Sequence, residues 1–162
     1  MILLLYQLIQ FSTIVIPKIS FSNDYICIIK LKMKKLVLLG SIMAAMAVVF
    51  GAFGAHALKA LLSTTQLQSY ETGVKYHLVH SLGMILIAIL YHQTKIKLFK
   101  TAGMLMFIGL FLFSFSIYLL ATKDLFGISS WTFLGPITPM GGLLLISAWV
   151  LIFIGAFNIK ND

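Results

Sequence analysis

The chain has 162 residues, 60% of them hydrophobic and 10% charged. Soluble domains usually run to about 45–50% apolar and ~25% charged residues. The composition therefore excludes a disordered chain and a soluble enzyme with a charged surface, and predicts several membrane spans. Twelve lysines against four acidic residues give a net charge of +8, and arginine is absent. A nucleic-acid-binding surface would cluster its charge and use arginine for bidentate contacts. Here the lysines fall between long apolar runs, where they flank spans and meet anionic headgroups. No nucleic-acid partner is expected. The lone Cys27 has no partner for an intramolecular disulfide or a metal site.

In chain order, residues 1–32 come first. Met1–Pro17 is apolar but short, and Gln7, Gln10, Ser12 and Thr13 interrupt it. Met33-Lys34-Lys35-Leu36 reads as a fresh N-terminus, a basic start before an apolar run. Residues 1–32 are therefore expected to be an upstream extension, marginal or disordered, with residues 33–162 forming the membrane domain. Met33–Ala57 also resembles a secretory signal with Ala55-His56-Ala57 at its end. Its apolar run exceeds the usual 7–15 residues, so an uncleaved first helix is the reading taken.

The spans follow from the gaps between charges. Leu36–Ala55 is 20 residues, Tyr76–Thr94 is 19 and Thr101–Thr122 is 22. At 1.5 Å per residue such lengths cross a hydrocarbon core of about 30 Å. The 35 residues between Asp124 and Lys160 are too many for one span. Gly127, Gly135, Pro136 and Pro139 break their first part. The fourth helix is expected from about Thr138 to Phe157, with Pro139 in its first turn. Leu125–Leu134, with Phe126, Trp131 and Phe133, reads as an interfacial segment.

Between helices one and two, Ser63 and Gln66 fit a capping box. Leu67, Tyr70, Val74 and His77 then form one helical stripe, and Glu71 and Lys75 are a favourable i,i+4 pair. The fold expected is an all-α membrane protein: four transmembrane helices in a small bundle, with a short amphipathic outer helix feeding into helix two. Lys30, Lys32, Lys34, Lys35, Lys95, Lys97, Lys100 and Lys160 lie on one side of this arrangement, and Lys59, Lys75 and Lys123 on the other. The positive-inside rule makes the eight-lysine side cytoplasmic, with the N-terminus of the core and the C-terminus inside.

Helix association in lipid needs close backbone approach. Ala47, Gly51 and Ala55 are four apart on helix one, and Gly40 and Ala44 add another pair. Gly141, Ala148 and Gly155 recur every seven residues on helix four. Helix three carries Ser114, Ser116 and Tyr118 for bonds across the bundle.

The spans hold no charge at mid-membrane depth, which disfavours proton-coupled transport. The sequence has no P-loop, G-x-S-x-G or H-E-x-x-H motif. Histidines remain. His56 ends helix one, and His77 and His80 share a face of helix two near the outer interface. Three apart on one face, they could both serve one metal ion, with Glu71 as the third ligand suggested by the linear sequence. Glu71, nine residues from His80, falls on the opposite side of a continuous helix. No metal, cofactor or catalytic residue is expected, and the protein is read as not an enzyme. The candidate polar or binding cluster is His56, Glu71, His77, His80 and Thr138. Pro136 and Pro139 leave backbone groups without helical bonds, and these need partners at membrane depth. At least one of His56, His77 and His80 is expected to hydrogen-bond the 135–142 turn.

Four segments carry a resemblance. They are Gly51-Ala52-Phe53-Gly54-Ala55-His56, Tyr76-His77-Leu78-Val79-His80, Phe113-Ser114-Phe115-Ser116-Ile117-Tyr118, and Leu134-Gly135-Pro136-Ile137-Thr138-Pro139-Met140-Gly141-Gly142. Together they resemble the family called domain of unknown function 423, small bacterial membrane proteins, over about residues 33–158. The resemblance implies four helices in the bacterial cytoplasmic membrane and no established activity. Phe115 stands where the family usually has Gly, and residues 1–32 have no family counterpart. The function expected is a structural or accessory membrane component, in contact with the lipid bilayer and with copies of itself or a larger membrane complex. The alternative is small-solute binding or transport through the outer-end histidines.

Overall fold

The computed structural model of the chain describes residues 23–127, 130, 131 and 133–159, over 23–33 as backbone alone. Its elements are α1 (Asn23–Phe53), a turn of π-helix (Gly54–Leu58), α2 (Thr64–Thr94), α3 (Lys97–Thr122) and α4 (Leu134–Ala156). The chain divides into two units, Met1–Lys30 and Leu31–Asp162. Of the expected extension, residues 1–22 lie outside the described residues, and 23–32 are helical backbone.

The second unit holds four helices long and apolar enough to cross a membrane: Lys34–Leu58, Thr64–Thr94, Lys97–Thr122 and Leu134–Ala156. The first three begin before the charge-free stretch that marks each in the sequence and take in the lysines at its start, whereas the fourth lies wholly within its stretch. α2 differs most. The Ser63 cap is formed, with the Gln66 amide donating to Ser63 Oγ and the Ser63 amide to Gln66 Oε1. From there the helix runs unbroken for 31 residues. The amphipathic outer segment is thus the opening of α2 itself. Gln66 Nε2 donates to Asp124 Oδ2 at 2.9 Å, which ties this opening to the end of α3. At its other end α2 stops at Lys95, whose φ of 59° is left-handed, with its N–H on the Tyr91 carbonyl.

α4 starts at Leu134, four residues before the expected Thr138. Pro136 occupies its first turn, where a missing N–H costs little. Pro139 is inside the helix, so the Gly135 carbonyl loses its i→i+4 donor. Of the expected interfacial segment, residues 128, 129 and 132 lie outside the described residues. The Trp131 and Phe133 rings lie 5.5 Å apart, and both residues are exposed.

α3 lies between α2 and α4 and packs along both. One core draws on all four helices: Met43 from α1, Met84 and Ile87 from α2, Phe99, Ala102, Met106 and Leu110 from α3, and Leu145 and Ala148 from α4. Glycine sets the closest approaches. A Cβ on Gly141 would stand 2.5 Å from the backbone nitrogen of Phe113, and one on Gly109 would stand 3.0 Å from the Gly141 carbonyl oxygen. At Gly155 the Phe99 ring fills the space, and Ala148 is fully buried. Gly141, Ala148 and Gly155 thus all lie where α4 meets the core. On α1, Ala47 is buried and Gly51 faces Val74 of α2, while Ala55 is exposed in the π-helical turn.

Candidate functional site

The polar side chains of the bundle gather in two places toward the end where α2 begins and α3 stops. The first is an enclosed aromatic cluster. His77, fully buried on α2, sets Nδ1 3.1 Å from the Tyr118 hydroxyl of α3. Phe50, Phe115 and Tyr118 surround the imidazole, with ring centroids 5.6–6.2 Å away. Tyr70 packs on Tyr118 at 4.9 Å and donates its hydroxyl to the Phe50 carbonyl at 3.1 Å. Two glycines seat these rings. A Cβ on Gly54 would lie 2.9 Å from the Tyr70 ring, and one on Gly73 would lie 2.9 Å from the Tyr118 ring. The first Gly of the π-helical turn is thus a seat for Tyr70, which holds the end of α1 against α2. His77 Nε2 and Ser114 Oγ are enclosed and have no hydrogen-bond partner among the described residues.

The second place is an open cleft of about 650 Å³ between the start of α2, the end of α3 and the start of α4. Ser63, Thr65, Gln66 and Ser69 line it from α2, Ile117, Leu120, Ala121, Lys123 and Asp124 from the end of α3, and Gly135 and Thr138 from α4. Thr138 Oγ1 is 2.7 Å from Ser116 Oγ. The single proton of Ser116 goes to the Phe113 carbonyl at 2.9 Å, so Thr138 is the donor in the bond between them.

These positions correct the expected histidine clasp. The hydroxyl of Ser116, on the face of α3 turned to α4, takes the bond from the 135–142 turn. His77 is spent on Tyr118, and His80 Nδ1 lies 2.7 Å from the Tyr76 carbonyl of its own helix. His56 is exposed in the π-helical turn. Glu71 is also exposed and lines a separate recess of about 200 Å³ with Gly51, Gly54, Ala55, Tyr70 and Lys75. The five members of the expected cluster thus do not meet in one site. His77 and His80 share a helix face yet diverge, His77 toward α3 and His80 toward the Trp149 ring of α4 at 6.2 Å. Among the described residues no three His, Cys, Asp or Glu side chains come within reach of one metal ion. The Tyr118 and Ser116 contributions were visible as polar residues of helix three. Their partners, 41 and 22 residues away in sequence, were not.

The sequence profile of the family described as "Protein of unknown function (DUF423)" matches residues 50–142. The chain belongs to this family. That stretch runs from Phe50 in the aromatic cluster to Gly142 beyond the cleft. The UPF0382 membrane protein YwdK of Bacillus subtilis (strain 168) is 42% identical over 125 residues, which cover 76% of this chain and 97% of the relative. A UPF0382 membrane protein of Staphylococcus haemolyticus is 39% identical over 126 residues, covering 78% and 98%. No solved structure matches the chain. With four apolar helices and relatives named as membrane proteins, the protein is an integral membrane protein of an uncharacterised family.

Proposed function

We propose that the protein is a structural or accessory component of the bacterial cytoplasmic membrane and not an enzyme, assembled with copies of itself or with a larger membrane complex. The core begins and the chain ends on the cytoplasmic side. One observation carries this reading: the most deeply buried histidine, His77, is committed to a tyrosine of the neighbouring helix inside a closed aromatic cluster. Ser81, Ser116, Thr122 and Thr138 are likewise engaged within the bundle. Of these, Ser81 and Thr122 bond carbonyls of their own helices, while the Thr138–Ser116 bond, like His77–Tyr118, crosses between helices and helps hold them together in lipid. The excess of lysines before α1, between α2 and α3 and after α4 supports the orientation. α1 and α4 turn most of their surface outward, with Leu38, Ile42, Val49 and Phe53 on one and Leu143, Ile146, Val150 and Phe153 on the other.

Native mass spectrometry of the chain released from nanodiscs of its own membrane tests the assembly. The expected result is a species with more than one copy, or one copy with a stoichiometric companion. A single unaccompanied chain overturns the reading.

The cleft favours a second reading, a small-solute binding protein. Its rim offers the hydroxyls of Ser63, Thr65, Ser69 and Thr138 together with Lys123, and not the histidines. Calorimetric titration with amino acids and polyamines tests it. Saturable heat that Thr65→Val and Lys123→Gln both weaken supports this reading, and no saturable heat removes it.

A further inference from the structure

α3 packs along both α2 and α4, which scarcely touch each other, so their facing sides leave a groove floored by α3, with His80 beside it. Its ring stacks on Tyr76 (centroids 5.6 Å apart, planes 18° apart) and meets the edge of Trp149 at 6.2 Å. The Tyr76 ring packs on Phe113 of the floor at 4.8 Å. The Trp149 ring extends over Gly83, one turn below His80, where a Cβ would lie 3.8 Å from it. Tyr76 and Trp149 are both about half exposed, so the groove opens at the surface of the bundle.

The hydrogen bonding of His80 settles its tautomer. Nδ1 sits 2.7 Å from a backbone carbonyl, which can only accept. Nδ1 therefore carries the proton, and Nε2 presents a lone pair. The residue is 94% buried by its 6% relative exposure. Even so, Nε2 is not among the enclosed orphan atoms and makes no bond among the described residues. It is an acceptor without a donor, reachable from the groove. Fourteen residues separate His80 from Thr94 at the inner end of α2, roughly 21 Å of helix. His80 is thus inside the hydrocarbon, where an unmet polar atom is costly and water is scarce.

We propose that this groove binds a bilayer-dissolved hydroquinone, its ring lying against Tyr76 and Trp149 and one hydroxyl donating to His80 Nε2. Each part follows from a feature of the groove. The lone pair requires a donor. The depth requires a ligand carried by the membrane. The aromatic walls favour a flat ring, since offset and edge-on ring pairs add to simple burial. This site is separate from the cleft and from the His77 cluster, and it goes beyond the accessory role proposed above.

The test uses the full chain in phosphatidylcholine nanodiscs, whose headgroup has no hydroxyl donor. A Trp131→Phe background leaves Trp149 as the only tryptophan. The probes are 2,3-dimethyl-1,4-naphthohydroquinone, kept reduced, and its dimethyl ether, which has the same ring and no O–H. The hydroquinone should quench Trp149 emission saturably, and the ether should need at least a tenfold higher mole fraction in the lipid. His80→Phe, which keeps a ring and removes the acceptor, should abolish that difference. Equal binding of the two probes by the unsubstituted His80 protein overturns the proposal, as does quenching that rises linearly with both. Mole-for-mole displacement of the hydroquinone by phosphatidylglycerol overturns it too, because a lipid headgroup hydroxyl would then be the natural donor.

Discussion

The hydroxyl of Tyr118 lies 3.1 Å from Nδ1 of His77 and joins the third helix to the second toward the end of the bundle where α2 begins. Both residues are buried, and phenylalanines from α1 and α3 close around them. Bonds of this kind between membrane helices are worth on the order of 1 kcal/mol, less than simple desolvation suggests, because the separated helices find other partners.

Tyr118→Phe should therefore lower stability by about 1 kcal/mol, since it leaves His77 with neither nitrogen satisfied. His77→Ala should cost more, roughly 2–4 kcal/mol, because it also opens a cavity among the rings. The double variant should cost less than the sum of the two. Thermal unfolding in mild detergent measures all three, with His56→Ala and His92→Ala, both exposed, as silent controls. Additive effects, or loss of stability at His92 as large as at His77, would show that the pair does not act as a unit.

Gly141→Ala should disrupt the α3–α4 contact. The new methyl would stand 2.5 Å from a backbone nitrogen of Phe113 and 2.8 Å from its Cα, and backbone does not step aside as a flexible side chain does. Overpacking of this kind costs about 1–3 kcal/mol. Gly135→Ala, in the same helix with nothing within 4 Å of the added carbon, should be close to neutral. The two melting temperatures compared in one detergent check the contrast, and indistinguishable values would contradict the geometry.

Thr138→Val removes the donor to Ser116 while keeping the shape of the side chain. A fall of about 1 kcal/mol is expected, with Thr138→Ser restoring most of it. Exchange of the α4 amides should rise around Gly141 and Gly142, because the bond anchors the part of α4 where Pro139 has removed a helical one. Unchanged exchange in Thr138→Val would mean that Gly141 packing alone holds this part of the helix.

The proposed orientation predicts which positions a membrane-impermeant thiol reagent reaches. In a Cys27→Ser background, single cysteines at Thr65 and Gly127 should label from outside intact cells. A cysteine at Thr94 should label only after the membrane is opened. Labelling of Thr94 in intact cells would invert the topology.

The sequence alone determined the number of spans, the approximate limits of the first, third and fourth, and the cap at Ser63, which it read as opening a separate short helix where the structure has the start of α2. Those features are local, or they are imposed by the solvent. A bilayer demands about 20 uncharged residues per crossing, and the Ser63–Gln66 cap needs only four consecutive residues. Only the tertiary structure decided what the histidines and glycines do. His77 finds Tyr118 because α2 and α3 pack side by side, and Thr138 finds Ser116 because Gly109 and Gly141 bring α3 and α4 into near backbone contact. Gly54 and Gly73 look in sequence like ordinary small packing residues, yet each is the floor under a tyrosine ring from elsewhere in the chain. Helical periodicity assigns a residue to a face. It does not say which neighbour that face meets, because helix pairing in lipid is settled by backbone approach and side-chain fit over the whole bundle.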